Sequence, residues 1–157
     1  MVELVAMSDA DYRRYMETAV EDYAESRFKC GGCSMEEARA AAKDSYDELL
    51  PQGLASSGQH LFNIVASGVG GPVGLIWVAL REKYGVKTAY VYNLEVGAAH
   101  RGKGYGEGAL KRAEEFARAW GAVRMSLNVW GWNNVARNLY EKSGFEVVGI
   151  GMSKIFD

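Results

Sequence analysis

The sequence predicts an α/β fold of the α+β kind. A mixed, mostly antiparallel central sheet is flanked by helices, with strands 4 and 5 running parallel. Three observations carry this prediction. Two helical segments with their own capping signals follow a short opening strand. Three β-rich runs then succeed one another with only turns between them, unlike the strand–helix alternation of a doubly wound sheet. Last, the run ending at Val96 passes through a glycine-rich loop into a long helix. The strand after that helix must return by a right-handed crossover, parallel to its predecessor.

Taken in order, Val2 to Met7 reads as the first strand. Ser8-x-x-Asp11 resembles an N-terminal capping box with Asp in place of Glu, and opens a helix to about Lys29. Tyr12, Tyr15, Met16, Ala19 and Tyr23 form its apolar stripe at helical spacing. Gly31-Gly32 stops that helix, and Ser34-x-x-Glu37 is a full capping box for a second, which ends near Leu50 ahead of Pro51. Leu61 to Ala66 and Val73 to Leu80 read as a hairpin around Gly70-Gly71-Pro72, and Thr88 to Val96 as a third strand beyond the turn at Lys83-Tyr84-Gly85. A helix over roughly Gly104 to Trp120 gathers Leu110, Ala113, Phe116, Ala117 and Trp120 on one face, and Gly121 ends it. Val123 to Trp130 is the next strand, Asn133 or Asn134 caps a short helix to about Ser143, and Phe145–Ile150 and Met152–Phe156 read as the last strands.

At 157 residues the length points to one domain spanning 1–157, large enough to bury a core. A net charge of −2 gives no reason to expect nucleic acid or an anionic membrane. No basic-then-apolar leader is present at the N-terminus and no apolar run is long enough to span a bilayer, so a cytoplasmic location is the default expectation. Cys30 and Cys33 are spaced as C-x-x-C, but no second ligand pair accompanies them, and Gly-Gly between them reads as a turn between helices. No metal is expected.

The chemistry concentrates between Val91 and Gly106. Gly102, Gly104 and Gly106 free the backbone to curl and turn N–H groups outward, next to Arg101, Lys103 and the positive end of the following helix. Lys111 and Arg112 add to the local cationic character. Such a cradle suits a phosphate-bearing ligand. A P-loop is excluded, because Gly-x-x-x-x-Gly-Lys-Ser/Thr is absent. Gly104-x-Gly106-x-x-Ala109 fits a permissive dinucleotide fingerprint, but the next strand offers Asn128 and Trp130 where that fingerprint wants a ribose-binding acid.

Arg101-x-x-Gly104-x-Gly106 at this junction resembles the acetyl-CoA pyrophosphate loop of the GCN5-related N-acetyltransferases. The downstream run Asn133-x-x-Ala136-Arg137-x-Leu139-Tyr140-Glu141-Lys142-x-Gly144-Phe145 resembles that superfamily's second signature. The resemblance implies the acyl-CoA N-acyltransferase fold, with the Tyr90 and Val123 strands splayed into a wedge. It implies acetyl-CoA as co-substrate, its arm paired to Leu94, Glu95 and Val96 and its pyrophosphate on Arg101, Gly102, Lys103, Gly104, Tyr105 and Gly106. Asn133, Ala136 and Tyr140 would complete the cofactor contacts. It also implies direct transfer to a primary amine of a small molecule or peptide, with Tyr140 as general acid toward the departing thiolate. Acceptor recognition would come from the first two helices and residues 51–60. A homodimer through the C-terminal strands is compatible with the resemblance.

The general base is open. Some members place a Glu where this chain has Asn128, which takes no proton at neutral pH but can orient a water or the amine. Glu95 is the nearest carboxylate by sequence, able to accept a proton through water or simply to line the pocket. The missing carboxylate at Asn128 also leaves open a catalytically silent acyl-CoA-binding sensor.

Overall fold

The computed structural model describes residues 1–157. Its elements are β1 (Val2–Ala6), α1 (Asp9–Phe28), α2 (Met35–Leu49), β2 (Gln59–Ala66), β3 (Pro72–Lys83), β4 (Val86–Val96), α3 (Tyr105–Trp120), β5 (Met125–Leu127) and α4 (Asn134–Lys142), with single 3-10 turns at Gly53–Ala55 and Ala98–His100. The sheet runs in chain order, β1-β2-β3-β4-β5. Every pair is antiparallel except β4 and β5, which are parallel and joined by α3. No helix is long and apolar enough to cross a membrane.

Local chemistry explains the first two helices. Ser8 Oγ accepts from the Asp11 N–H while the Asp11 carboxylate accepts from the Ser8 N–H, and Ser34 and Glu37 repeat the arrangement for α2. Asp therefore closes a capping box here, despite its shorter reach. Cys30 and Cys33 are free thiols in the turn between these helices, where Gly31 and Gly32 adopt positive φ.

The sheet separates two apolar layers. On one face α3 packs Ala109, Leu110, Ala113 and Ala117 against Ile64, Val73, Ile76, Val78 and Val91. On the other, α1 and α2 bring Tyr15, Ala19 and Tyr46 onto Leu61 and Trp77. The helix stripes thus face the core as their spacing dictates.

Strand β4 is paired along its whole length on one side only. It pairs with β3 from Val86 opposite Lys83 to Val96 opposite Gly74. The ladder slips once: Trp77 faces Asn93 and Val78 faces Val91, leaving Tyr92 as the extra residue of a β-bulge. At the far end the two backbones come unusually close. A Cβ on Gly74 would lie 2.1 Å from the Glu95 carbonyl oxygen and 3.0 Å from the Val96 Cα. Only glycine permits this approach.

Two strand expectations are corrected. The fifth strand is shorter than Val123–Trp130: the Val123 N–H reaches the Lys87 carbonyl, but pairing ends at Leu127 opposite Val91. Trp130 packs on Tyr23 of α1 and its carbonyl accepts from the Asn133 N–H, which bends the chain away from β4. The segments Phe145–Ile150 and Met152–Phe156 form no strands, and Val148, Met152 and Phe156 are exposed. Their β-like composition needs a neighbouring ladder to become a strand, and β5, three residues long, offers too short an edge.

Gly74→Ala should lower unfolding stability by about 1–3 kcal/mol, because backbone atoms of β4 must move. Gly70→Ala, where a Cβ meets nothing within 4 Å, is the control and should leave the denaturation midpoint unchanged. Equal midpoints for both variants would contradict the close approach.

Candidate active site

The difference in length between β4 and β5 opens a gap in the sheet. Beyond Val91, β4 continues to Val96 with no partner on its β5 side. The Gly97 N–H donates to the Val73 carbonyl at 2.8 Å, so alternation along the strand turns the polar groups of Val96 and Leu94 into the gap. Unpaired backbone amides and carbonyls of this kind invite an extended ligand that carries its own amides.

The loop at the mouth of this gap comes next. Gly102 and Gly104 have φ of +74° and +82°, the left-handed region that favours glycine. Gly104 is the N-cap of α3 and supplies no side chain, so the first N–H groups of the helix have no capping partner. The other three α-helices each begin under a capping Ser or Asn side chain. Gly106 serves a different purpose, since a Cβ there would meet Leu139 of α4 at 3.1 Å; its absence lets α4 seat against α3. Arg101 Nε donates to the Val96 carbonyl at 3.0 Å, tying the loop to the end of β4. Lys103 is exposed, its Nζ 3.5 Å from the Ala99 carbonyl. Arg112 does not belong to this cationic group: it donates to the Val2 carbonyl and pairs with Glu115, pinning β1 to α3.

Helix α4 brings Tyr140 in on the α3 side of the sheet. The ring packs on Phe145 with centroids 5.9 Å apart, and burial pushes the phenol pKa above its ordinary value. Tyr140 and Asn128 line one cleft of about 540 Å³ with residues 123–127 and Phe145. That cleft contains neither Glu95 nor the glycine loop. Asn133 Oδ1 accepts from the Ala136 N–H at 3.1 Å, which starts α4 and commits both groups to the cap.

Glu95 lies on the opposite face. The bulge at Tyr92 turns both Tyr92 and Asn93 toward α1, where Tyr92 joins the aromatic layer and Asn93 Nδ2 donates to Tyr15 Oη at 2.9 Å. The same Nδ2 donates to Glu95 Oε2 at 3.3 Å. Tyr15 Oη in turn bonds Tyr46 Oη at 3.0 Å, deep under the helices. Burial pushes the Tyr15 phenol up to about 12, with the nearby Glu95 charge adding to it against its hydrogen bonds with Tyr46 and Asn93. Tyr46 is raised for the same first reason. Sequence reasoning placed Tyr15 in a core stripe and gave Asn93 no role. A polar Asn within an apolar strand was the available signal, but its orientation depends on a bulge that no residue announces.

A model described as the acetyltransferase (GNAT) family matches residues 19–145 of the chain. YycN of Bacillus subtilis (strain 168), an uncharacterised N-acetyltransferase, is 31% identical over 153 residues, covering 98% of this chain and 97% of the relative. Its crystal structure superposes with a TM-score of 0.92, covering 99% of both chains. An aminoglycoside acetyltransferase from an uncultured soil metagenomic sample, solved in complex with sisomicin, shares the fold at a TM-score of 0.61 and 15% identity, over 99% of this chain and 97% of its own. With the splayed parallel pair and the open helix start already in place, these similarities identify the chain as a member of the acetyltransferase (GNAT) family, an N-acetyltransferase.

Proposed function

We propose that this enzyme transfers the acetyl group of acetyl-CoA directly to a primary amine of a small molecule or peptide. One observation carries the reading: the uncapped start of α3 stands at the mouth of a gap lined by the unpaired N–H and carbonyl of Leu94 and the N–H of Val96, the Val96 carbonyl being held by Arg101. A pyrophosphate matches the former and an amide-bearing arm the latter, so the residues present fit CoA. When bound, acetyl-CoA supplies an activated acetyl thioester.

The roles of the chain's own residues follow from their placement. Gly102, Lys103, Gly104, Tyr105 and Gly106 present backbone N–H groups and one ammonium to the phosphates, with Arg101 beside them. Leu94, Glu95 and Val96 form the wall along which the arm lies. The Asn133 side-chain oxygen and the Ala136 N–H are taken by the helix cap, which leaves Asn133 Nδ2 for the ligand. Tyr140 Oη holds a proton for the departing sulfur, and the raised pKa keeps it protonated at neutral pH. Glu95, on the other face of the gap, is the carboxylate that takes the amine's proton, directly or through water. Asn128 shares the Tyr140 cleft, so it orients water on the acid side rather than accepting the amine's proton.

Three measurements test this. Acetyl-CoA and CoA should raise the melting temperature while NAD does not. The double variant Arg101→Glu/Gly104→Glu should weaken CoA binding by roughly a hundredfold by calorimetry; unchanged affinity would remove the loop from the site. Tyr140→Phe should retain CoA affinity but lower kcat by roughly a hundredfold with a responsive amine. Because Tyr140 acts protonated and its pKa lies above the usual ~10, the wild-type kcat should hold to about that pH and fall only beyond it. An alkaline decline beginning near pH ~8 and abolished in the Phe variant would contradict this assignment.

A further inference from the structure

One exposed cation is held in place without being neutralised: Arg81 of β3. Its guanidinium lies over two rings of β4, 4.9 Å from the Tyr90 centroid and 5.2 Å from that of Tyr92, and it donates to Tyr92 Oη. The two rings, 4.7 Å apart, form a common platform. No acidic side chain pairs with Arg81, whereas Arg39, Arg112, Arg118 and Arg137 are each matched by a glutamate. It is also the one arginine stacked on aromatic rings. Stacking uses the face of a guanidinium rather than its N–H edge, and Tyr92 takes only one of the donors. A fixed guanidinium edge of this kind matches a carboxylate through two parallel hydrogen bonds.

The platform stands at the root of the gap. Tyr90 faces Ser126 in the β4–β5 ladder, which ends one position on, at Val91 opposite Leu127. Both rings lie on the α1 side of the sheet: Tyr92 belongs to the layer under α1 and α2, while Ala89 and Val91, which flank Tyr90, are buried on the α3 side. Burial raises the Tyr90 phenol, and the Arg81 charge and the backbone of Asn128, the first residue beyond β5, act against it. Arg81 therefore stands beside the point where the two strands part, on the same face as Glu95. The other cations of this hairpin do not join it, since Lys83 lies on Tyr84 and Lys87 on Trp120. One positive charge by itself suits a singly charged carboxylate rather than a phosphate dianion.

We propose that Arg81 sets acceptor specificity by binding a carboxylate of the acceptor, with Tyr90 and Tyr92 holding the guanidinium in place. The inference deepens the amine-transfer reading and rests on it. It specifies the substrate class: a primary amine that carries a carboxylate in the same molecule, as amino acids and peptides do. An acceptor lacking the carboxylate leaves the guanidinium without its partner and is used less well.

The test uses 15N-labelled protein, saturated with CoA to occupy the glycine loop and titrated with sodium hexanoate or hexanamide. The Arg81 side-chain Nε–H and the backbone amides of Tyr90 and Tyr92 should shift saturably with hexanoate and not with hexanamide. Arg81→Gln should weaken the response of the two tyrosine amides about tenfold, as expected for loss of a charged hydrogen-bonding partner. Arg81→Lys, which keeps the charge, should retain part of it. In turnover, ω-amino acids from 3-aminopropanoate to 6-aminohexanoate are compared with the matching ω-amino amides. At the best-fitting length the acid should exceed the amide about tenfold in kcat/KM. Arg81→Gln should bring that ratio to unity with the acetyl-CoA KM unchanged, whereas a folding defect lowers both acceptors alike. No hexanoate shift, an equal shift with hexanamide, an unaltered response in Arg81→Gln, or equal use of acid and amide at every length would overturn the proposal. Absence of CoA binding or of any acetyl transfer would instead sink the acetyl-transfer reading, and the hexanoate titration on free protein would still judge the Arg81 seat.

Discussion

The pairing of β4 governs the rest of this molecule. One edge is satisfied by β3 to the last residue, while the other is satisfied by β5 only as far as Val91. The first condition depends on Gly74, where the two backbones pass too closely for any side chain. The second depends on β5 ending at Leu127, once Trp130 is drawn to α1 and the chain turns toward α4. A strand held rigidly on one side and left open on the other presents fixed hydrogen-bonding groups to a ligand at little cost in ordering.

The two groups proposed for catalysis lie on opposite faces of the sheet. Tyr140 belongs to the layer that includes α3, and Glu95 lies on the face under α1 and α2. Strict alternation would send Tyr92 and Asn93 to opposite faces. The bulge puts both on the α1 side, so an amide sits between a buried tyrosine pair and a surface carboxylate. Its irregularity is thus the reason a polar chain can run from the core to the site. The same economy governs the helix ends. Three are closed by their own Ser or Asn, and the fourth, at Gly104, has no side-chain cap, the kind of helix start that suits an anion.

Much of this was readable from residues close together in the chain. The capping boxes at Ser8 and Ser34, the stop at Gly121 and the helix cap at Asn133 depend on groups within a few positions of one another, and all form as expected. The glycine loop was equally plain, because left-handed backbone at Gly102 and Gly104 is a property of glycine itself. Arg112 was misplaced for the opposite reason: its partner, the Val2 carbonyl, is 110 residues away. The strand-like C-terminal segment failed similarly, since a β pattern states a preference and the ladder requires a neighbour.

The sequence by itself therefore determined the order and type of the elements, the parallel return after α3 and the cluster of glycines and cations at its start. Each follows from short-range backbone preference, hydrophobic period or the handedness of a crossover. Only the tertiary structure decided where β5 stops, which face Asn93 takes and which hydroxyl it meets. Those depend on register and on contacts between residues such as Tyr15 and Asn93, 78 positions apart, whose meeting no local pattern encodes.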